Sequence, residues 1–270
     1  MKRVGIIYRP RLPRAQELAC ELERKLNACG ISSWQCSARE EAEAALQAVG
    51  SDLIVSIGGD GTILRAVHVA SRLSLPVLGV NLGRIGFIVE LSVEDFWANL
   101  PGIIEGKGRI EERAMIEVMF SNASFHVLNE MVVGRGATAH MAHVEMAIDE
   151  DVVTVYRGDG VIVSTATGST AYSLAAGGPI LHPLSREMVV QPVSCHLAPS
   201  YALVVLPQSE IVLTPVGSRE VTVSLDGQVD LPLSLGTSVR VRLSSRVARF
   251  LRLRDPDHFY GSLYNRLREE

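Results

Sequence analysis

The 270-residue chain has no CxxC pair, no HExxH, no GxGxxG and no GxxxxGK[ST]. Its four cysteines, Cys20, Cys29, Cys36 and Cys195, lack zinc-ligand spacing and read as reduced structural residues. Cys20 and Cys29 fall in and at the end of a predicted helix, where small buried thiols are common. His140 and His143 stand three apart with no third ligand nearby, which argues against a histidine-bound metal. The missing glycine fingerprints argue against a Rossmann dinucleotide site and a Walker phosphate loop. No apolar run approaches the ~18 residues of a membrane span. Met1-Lys2-Arg3 is followed by too short an apolar stretch for a signal peptide, so a cytoplasmic protein is expected. A net charge of −4 gives no global electrostatic reason to expect nucleic acid or a membrane as partner. With 47% apolar and 21% charged residues, the composition is that of a globular chain with material for more than one core.

What is present begins with Asp52 to Leu64, DLIVSIGGDGTIL. A strand-like run, Leu53 to Ile57, enters Gly58-Gly59-Asp60-Gly61-Thr62, and a helical pattern follows. Glycines let the backbone turn sharply and approach another molecule closely, and a carboxylate inside such a turn is placed for chemistry. An ordinary strand-to-helix turn would read the same way. Around this stretch, strands and helices alternate: Val4 to Tyr8, a helix from Pro13 with Ala15, Leu18, Ala19, Leu22 and Leu26 on one face, Ile31 to Cys36, a helix over Glu40 to Val49, then Pro76 to Val80. This alternation predicts a parallel sheet with helices on its faces. Ligands in such sheets bind beyond the carboxyl ends of the strands. Both the GGDGT turn and the loop Asn81 to Phe87, NLGRIGF, follow strands and are expected on that edge.

Near Gly106 the pattern changes to short alternating runs separated by turn residues, which predicts a mostly antiparallel β domain. The expected division is 1–105 for the α/β domain, 106–255 for the β-rich domain and 256–270 for a helical tail that could return to the first domain. Within the β part, Phe125 to Val133 reads as one strand that carries Asn129-Glu130. A buried Glu needs a partner, so this pair is either aimed at a ligand or faces solvent. Asp226-Gly227-Gln228 reads first as a hairpin turn. Arg240, Arg242, Arg246, Arg249, Arg252 and Arg254 read as the solvated face of a sheet, with a groove for an anionic ligand as the alternative. Thr165 to Tyr172, TATGSTAY, opens a helix-like SLAAGG stretch. Its hydroxyls and free amides suit a polar ligand or phosphate as well as a simple cap.

Several of these segments together resemble the bacterial NAD kinases, which phosphorylate NAD at the 2′-hydroxyl of its adenosine ribose. The resemblance rests on GGDGT, NLGRIGF, Asn129-Glu130, Asp226-Gly227-Gln228 and the run Gly158 to Ile180, GDGVIVSTATGSTAYSLAAGGPI, in the family's order over about residues 50 to 230. GGDG alone is shared with diacylglycerol-type lipid kinases and 6-phosphofructokinases, whereas the TGSTAY run is specific. The chain departs from the family at Ala166, where proline is usual. In HLAPSYALVVLP, Tyr201 or Ala202 stands where an arginine is common.

The resemblance implies an α/β domain and a β-rich domain with the active site between them. It implies Asp60 as the base for the ribose hydroxyl, with Gly58, Gly59, Gly61 and Thr62 forming the loop for the donor phosphates. Asn129, Glu130, Asp159, Thr170, Ala171, Tyr172, Ser173, Leu174 and Ala175 are implied to hold NAD, with Tyr172 against the adenine. Asp60, Gly61, Arg65, Phe87, His140, Arg157, Thr167, Ser194 and Gln228 align with further ligand contacts. Mg²⁺ is expected to arrive with the nucleoside triphosphate, because the chain offers no metal cage of its own. The partners implied are NAD and ATP, or another triphosphate or polyphosphate, and a homodimer or homotetramer. Two other classes share part of the pattern: a lipid kinase, which would need membrane attachment, and a non-catalytic NAD-binding regulator, which would not need Asp60.

Overall fold

In the computed structural model, which describes residues 1–83, 86–136, 140–196, 200–217, 221–254, 259–261 and 263, the alternation at the start of the chain becomes four strands and four helices. They are β1 (Arg3–Tyr8), α1 (Pro13–Ala28), β2 (Ser32–Ser37), α2 (Glu41–Gln47), β3 (Leu53–Ile57), α3 (Asp60–Ser71), β4 (Pro76–Val80) and α4 (Val93–Ile104). The apolar stripe read on α1 is its buried face, and Gly30 just beyond it takes a positive φ of 74°. Cys20 and Cys29 correct the reading of that helix, for both are exposed; all four cysteines are free, and Cys36 is buried. β3 is buried at all five positions, as expected of a parallel strand covered on both faces.

Two compact units make up the chain: 1–112 with 248–270, and 113–247. In the first, parallel strands run in the order β2-β1-β3-β4, and the end of the last strand of the chain, β16 (Val239–Arg252), joins β4 in parallel at Arg249 and Phe250. Ile6, Leu22, Leu53, Ile57, Leu78 and Phe96 are among the residues of its core.

The second unit takes part of β5 (Arg109–Phe120), then β6 (Ala123–Val127), β7 (Glu130–Arg135), β8 (Ala142–Ile148), β9 (Asp151–Gly158) and β10 (Gly160–Ser164). After a 3-10 turn at Gly168–Thr170 and the short helix α5 (Tyr172–Ala175) come β11 (Met188–Val193), β12 (Leu203–Val205), β13 (Ile211–Pro215), β14 (Val221–Leu225), β15 (Val229–Leu233) and the first part of β16. One antiparallel sheet has the order β12-β11-β10-β7-β14-β15, and β16-β13-β8-β9 form another antiparallel set. Inward residues of both, including Val133, Met146, Val163, Val190, Leu213 and Val241, share one core. The predicted tail helix, 256–267, lies for the most part outside the described residues. Among the described residues no helix is long and apolar enough to cross a membrane.

The C-terminal arginines divide into two kinds. Arg240 and Arg242 are exposed and pair with Glu210 and Glu117 at 2.7 and 2.9 Å, as a solvated face would have it. Arg252 corrects that reading. It is buried, donates from Nη1 to the Ile88 carbonyl at 2.8 Å, and meets Glu111 at 3.1 Å and Glu90 at 3.5 Å. Glu90 in turn accepts the amides of Leu253 and Arg254 at 3.1 and 2.6 Å. A guanidinium fork offers five donors, which is what lets one buried cation serve two carboxylates and a carbonyl.

Candidate active site

β3 ends by handing its backbone to the glycine turn. The Gly58 amide donates to the Val80 carbonyl at 2.9 Å, tying the turn to the end of β4, and Thr62 N closes the first turn of α3 on Gly59 O at 2.9 Å. Asp60 is the first residue of α3, where unpaired amides and the helix dipole favour a negative charge. Its two carboxylate oxygens accept the amides of Phe87 and Val89 at 3.1 and 3.3 Å. The structure therefore brings the GGDGT turn and the NLGRIGF loop together, and Asp60 is the joint. A β carbon at Gly86 would lie 2.5 Å from both carboxylate oxygens, so a larger residue there would displace the Asp60 side chain. Arg84 and Ile85 of the loop lie outside the described residues. A carboxylate offers about four lone-pair sites, so two amides leave Asp60 able to accept more. Thr62 is buried and Gly61 exposed, while Arg65, further along α3, reaches Glu41 at 3.3 Å.

In the second unit, the strand read as Phe125 to Val133 is broken between β6 and β7, and the break has a cause. The buried Asp226 carboxylate accepts the Leu128 amide at 3.0 Å, the Asn129 amide at 2.7 Å and the Glu130 amide at 3.2 Å, so these amides leave the ladder. Asp226 N donates back to Glu130 O at 3.0 Å. Asp226 and Gly227 both have positive φ, 49° and 60°, as the expected hairpin turn between β14 and β15 requires. Read from sequence as a turn residue, Asp226 is thus also the anchor of Asn129-Glu130. An acid at a tight turn carries no sequence signal for this second task.

The TGSTAY segment locks onto the same place. Thr165 N donates to Asn129 O at 2.9 Å, Thr165 Oγ1 donates to Leu128 O at 2.5 Å, and Gly168 N donates to Thr165 Oγ1 at 3.1 Å. A β carbon on Gly168 would overlap the Asn129 carbonyl, so only glycine admits this approach. Ser169 Oγ ties Ala166 O to Leu181 N, and Thr170 Oγ1 donates to Thr167 O at 3.1 Å. The backbone is well satisfied, yet several side chains are not. Asn129 Oδ1, Glu130 Oε2, Thr167 Oγ1 and Ser173 Oγ are buried without a hydrogen-bond partner among the described residues. Such atoms are costly to leave bare, and a polar ligand is one means of satisfying them. Burial, and then the Asp226 charge, push the Glu130 carboxyl up to about 8, against the Tyr172 amide that donates to it.

Other predicted residues stand in more open settings. Tyr172 exposes nearly half its surface, Ala175 is exposed, and Ala171 and Leu174 are half-buried. Asp159 pairs with Arg135 at 3.4 Å, while Arg157, Ser194 and His140 are exposed. Phe87 and Gln228 are half-buried. Among the described residues one trio, Cys36, Glu40 and Glu43, has potential metal-ligand atoms within 4.8 Å of one another. Burial and the two glutamates push its thiol up to about 11.

Both halves of the chain are similar to known proteins. A model of the ATP-NAD kinase N-terminal domain matches residues 10–108, and one of the ATP-NAD kinase C-terminal domain matches residues 128–253. The NAD kinase of Dehalococcoides mccartyi strain BAV1 is 41% identical over 274 residues, which cover 99% of this chain and 96% of that protein. The NAD kinase of Chloroflexus aggregans is 35% identical, over 99% of both chains. Among solved structures, an NAD kinase from Archaeoglobus fulgidus in complex with ATP superposes with a TM-score of 0.80 at 25% identity, over 99% of each chain. Yeast NADH kinase complexed with NADH has the same fold, with a TM-score of 0.84 at 23% identity over 97% of this chain and 86% of that one. By both of its halves, the chain belongs to the ATP-NAD kinase family.

Proposed function

We propose that the chain transfers the terminal phosphoryl group of ATP to the 2′-hydroxyl of the adenosine ribose of NAD, with Asp60 as base and the pocket of the second unit as the nucleotide's seat. The observation that carries the reading is the set of buried, unpartnered polar atoms on Asn129, Glu130, Thr167 and Ser173. A ribose and an adenine edge offer donors and acceptors of the kind these atoms lack. Tyr172, with its open ring, supplies a face for the base.

A ribose hydroxyl is a weak nucleophile, and a positioned base contributes typically about 10²–10⁴-fold. Asp60 takes the 2′-hydroxyl proton as the oxygen–phosphorus bond forms and the bond to the β-phosphate oxygen breaks, leaving NADP and ADP. The two amides on Asp60 hold it still without using all its lone pairs. The amides at the start of α3, together with its dipole, suit the donor's phosphates. Gly58 serves there by shaping the turn, its amide being bonded to Val80 O. The single carboxylate at the turn fits a divalent cation, Mg²⁺, carried mainly by the triphosphate and water; bound, it would neutralise charge on the phosphates. The assembly we propose, a homodimer or homotetramer, is checked by light scattering.

The deciding experiment crosses ATP and polyphosphate with NAD and NADH and measures the 2′-phosphorylated product. NADP from ATP and NAD is expected. Calorimetric NAD binding with no product from any donor would make the protein a regulator, and phosphorylation of lipid vesicles in place of NAD would make it a lipid kinase.

A further inference from the structure

Asp226 does more than close a hairpin. Its carboxylate gathers three successive amides, Leu128, Asn129 and Glu130, and its own amide returns a bond to Glu130 O. Two of the residues whose side chains end in unpartnered atoms, Asn129 and Glu130, are therefore held by their backbones from one point. The same grip sets a second acid beside Glu130 in a buried place.

We infer that Asp226 is the positioning residue of the nucleotide pocket, and that its carboxylate beside the buried Glu130 makes Glu130 meet the nucleotide as a hydrogen-bond donor. This rests on the reading of the pocket as the NAD site. The surroundings of Glu130 bear it out element by element. The β14–β15 hairpin faces it with Asp226; α5 gives it the Tyr172 amide; across the ladder β10 sets Ser164, whose hydroxyl is itself buried without a partner. Among the described residues no cation pairs with Glu130. Oε2, buried and without a partner, is then where a proton is carried and offered to an acceptor on the nucleotide. Asp226 has the opposite task. It accepts from three amides and so fixes the backbone of the segment that carries Glu130. Two acids in one site are thus pushed into different roles, one as anchor and one as donor.

The test is calorimetry of NAD binding to the full chain without a phosphoryl donor, from about pH 6 to about pH 9.5, a range in which the donor form of Glu130 is lost. NAD brings no titrating group of its own to this range. For the wild-type chain, the dissociation constant should stay level up to about pH 7.5 and then weaken toward about tenfold per pH unit above about pH 8. Glu130→Gln keeps a donor and an acceptor in the same shape at every pH. It should bind NAD within a few-fold of wild type near neutrality, show no weakening, and bind more tightly than wild type at the alkaline end. Asp226→Asn should bind more weakly at every pH, and its weakening should begin at lower pH because the neighbouring charge is gone. A wild-type affinity that is flat or rises with pH overturns the inference, as does a Glu130→Gln chain that binds poorly throughout; either result stands even if Asp226→Asn fails to fold. A folded Asp226→Asn chain with the wild-type pH profile overturns the part assigned to Asp226. No NAD binding at any pH overturns the reading of the pocket, and the inference with it.

Discussion

The glycine turn of the first unit and the group of buried polar side chains around Asn129-Glu130 in the second are built on opposite plans. At the turn, the reactive candidate is already bonded: Asp60 accepts two amides from the loop that follows β4. In the second unit the backbone is bonded and the side chains wait: Asn129, Glu130, Thr167 and Ser173 bury polar atoms with no partner among the described residues. A group that must act on a bound hydroxyl gains from being held before the substrate arrives. Groups that recognise a nucleotide gain from being unsatisfied until it arrives, because a wrong ligand then leaves them bare.

Substitutions can break this contrast. Among substitutions of the glycines, the larger effect on turnover is expected from Gly86→Ala, which puts a methyl group against both Asp60 oxygens. A displacement of about 1 Å at a reacting group costs on the order of 10²-fold, so kcat should fall by about that factor with NAD affinity little changed. Steady-state kinetics beside calorimetry checks it. Gly168→Ala should do the reverse in the second unit. Its methyl group meets the Asn129 carbonyl, so NAD binding should weaken and the melting transition should drop by a stability equivalent of about 1–3 kcal/mol.

Glu130→Gln sharpens the comparison through pH. The Glu130 carboxyl rises from 4.5 to about 8 on folding, so the folded chain keeps a proton that the unfolded chain releases. Its contribution to stability is complete below pH 4.5 and declines as pH climbs to about 8, by up to about 1.4 kcal/mol per unit. Glutamine has no such loss. The variant should gain a few kcal/mol on wild type between those limits, seen by urea denaturation without ligand. At the small end, Arg240→Ala removes an exposed pair with Glu210 and should change stability by less than about 1 kcal/mol.

The first unit was the more legible in sequence. β1, β3 and β4 are buried strands of a parallel sheet and read as continuous apolar runs, and α1 shows its buried stripe at helical spacing. In the second unit, tertiary bonds override local pattern. Phe125 to Val133 alternates like one strand, but Asp226, almost a hundred residues later, withdraws three amides from it. β16 reads as two strands because Ser244-Ser245-Arg246 interrupts the apolar alternation; the Ser244 hydroxyl bonds His126, and the strand runs on. β11 and β15 contain proline and polar residues, and they gave no strand signal. Arg252 looked like its exposed neighbours because its partners, Glu90 and Glu111, are distant in the chain. Asp60, Asn129 and Glu130 stood out as candidates in sequence because side chains that carry chemistry sit in recognisable motifs. Asp226 stood out only as a turn and motif residue, since what it grips is backbone.

The most direct test of the division of labour is to measure NAD affinity and NADP formation on one preparation of Asp60→Asn. NAD should bind within a few-fold of wild type, while turnover with ATP should fall by about 10²–10⁴-fold. Turnover near the wild-type rate would remove Asp60 as the base, and loss of NAD binding would show that the two regions do not divide the work as described.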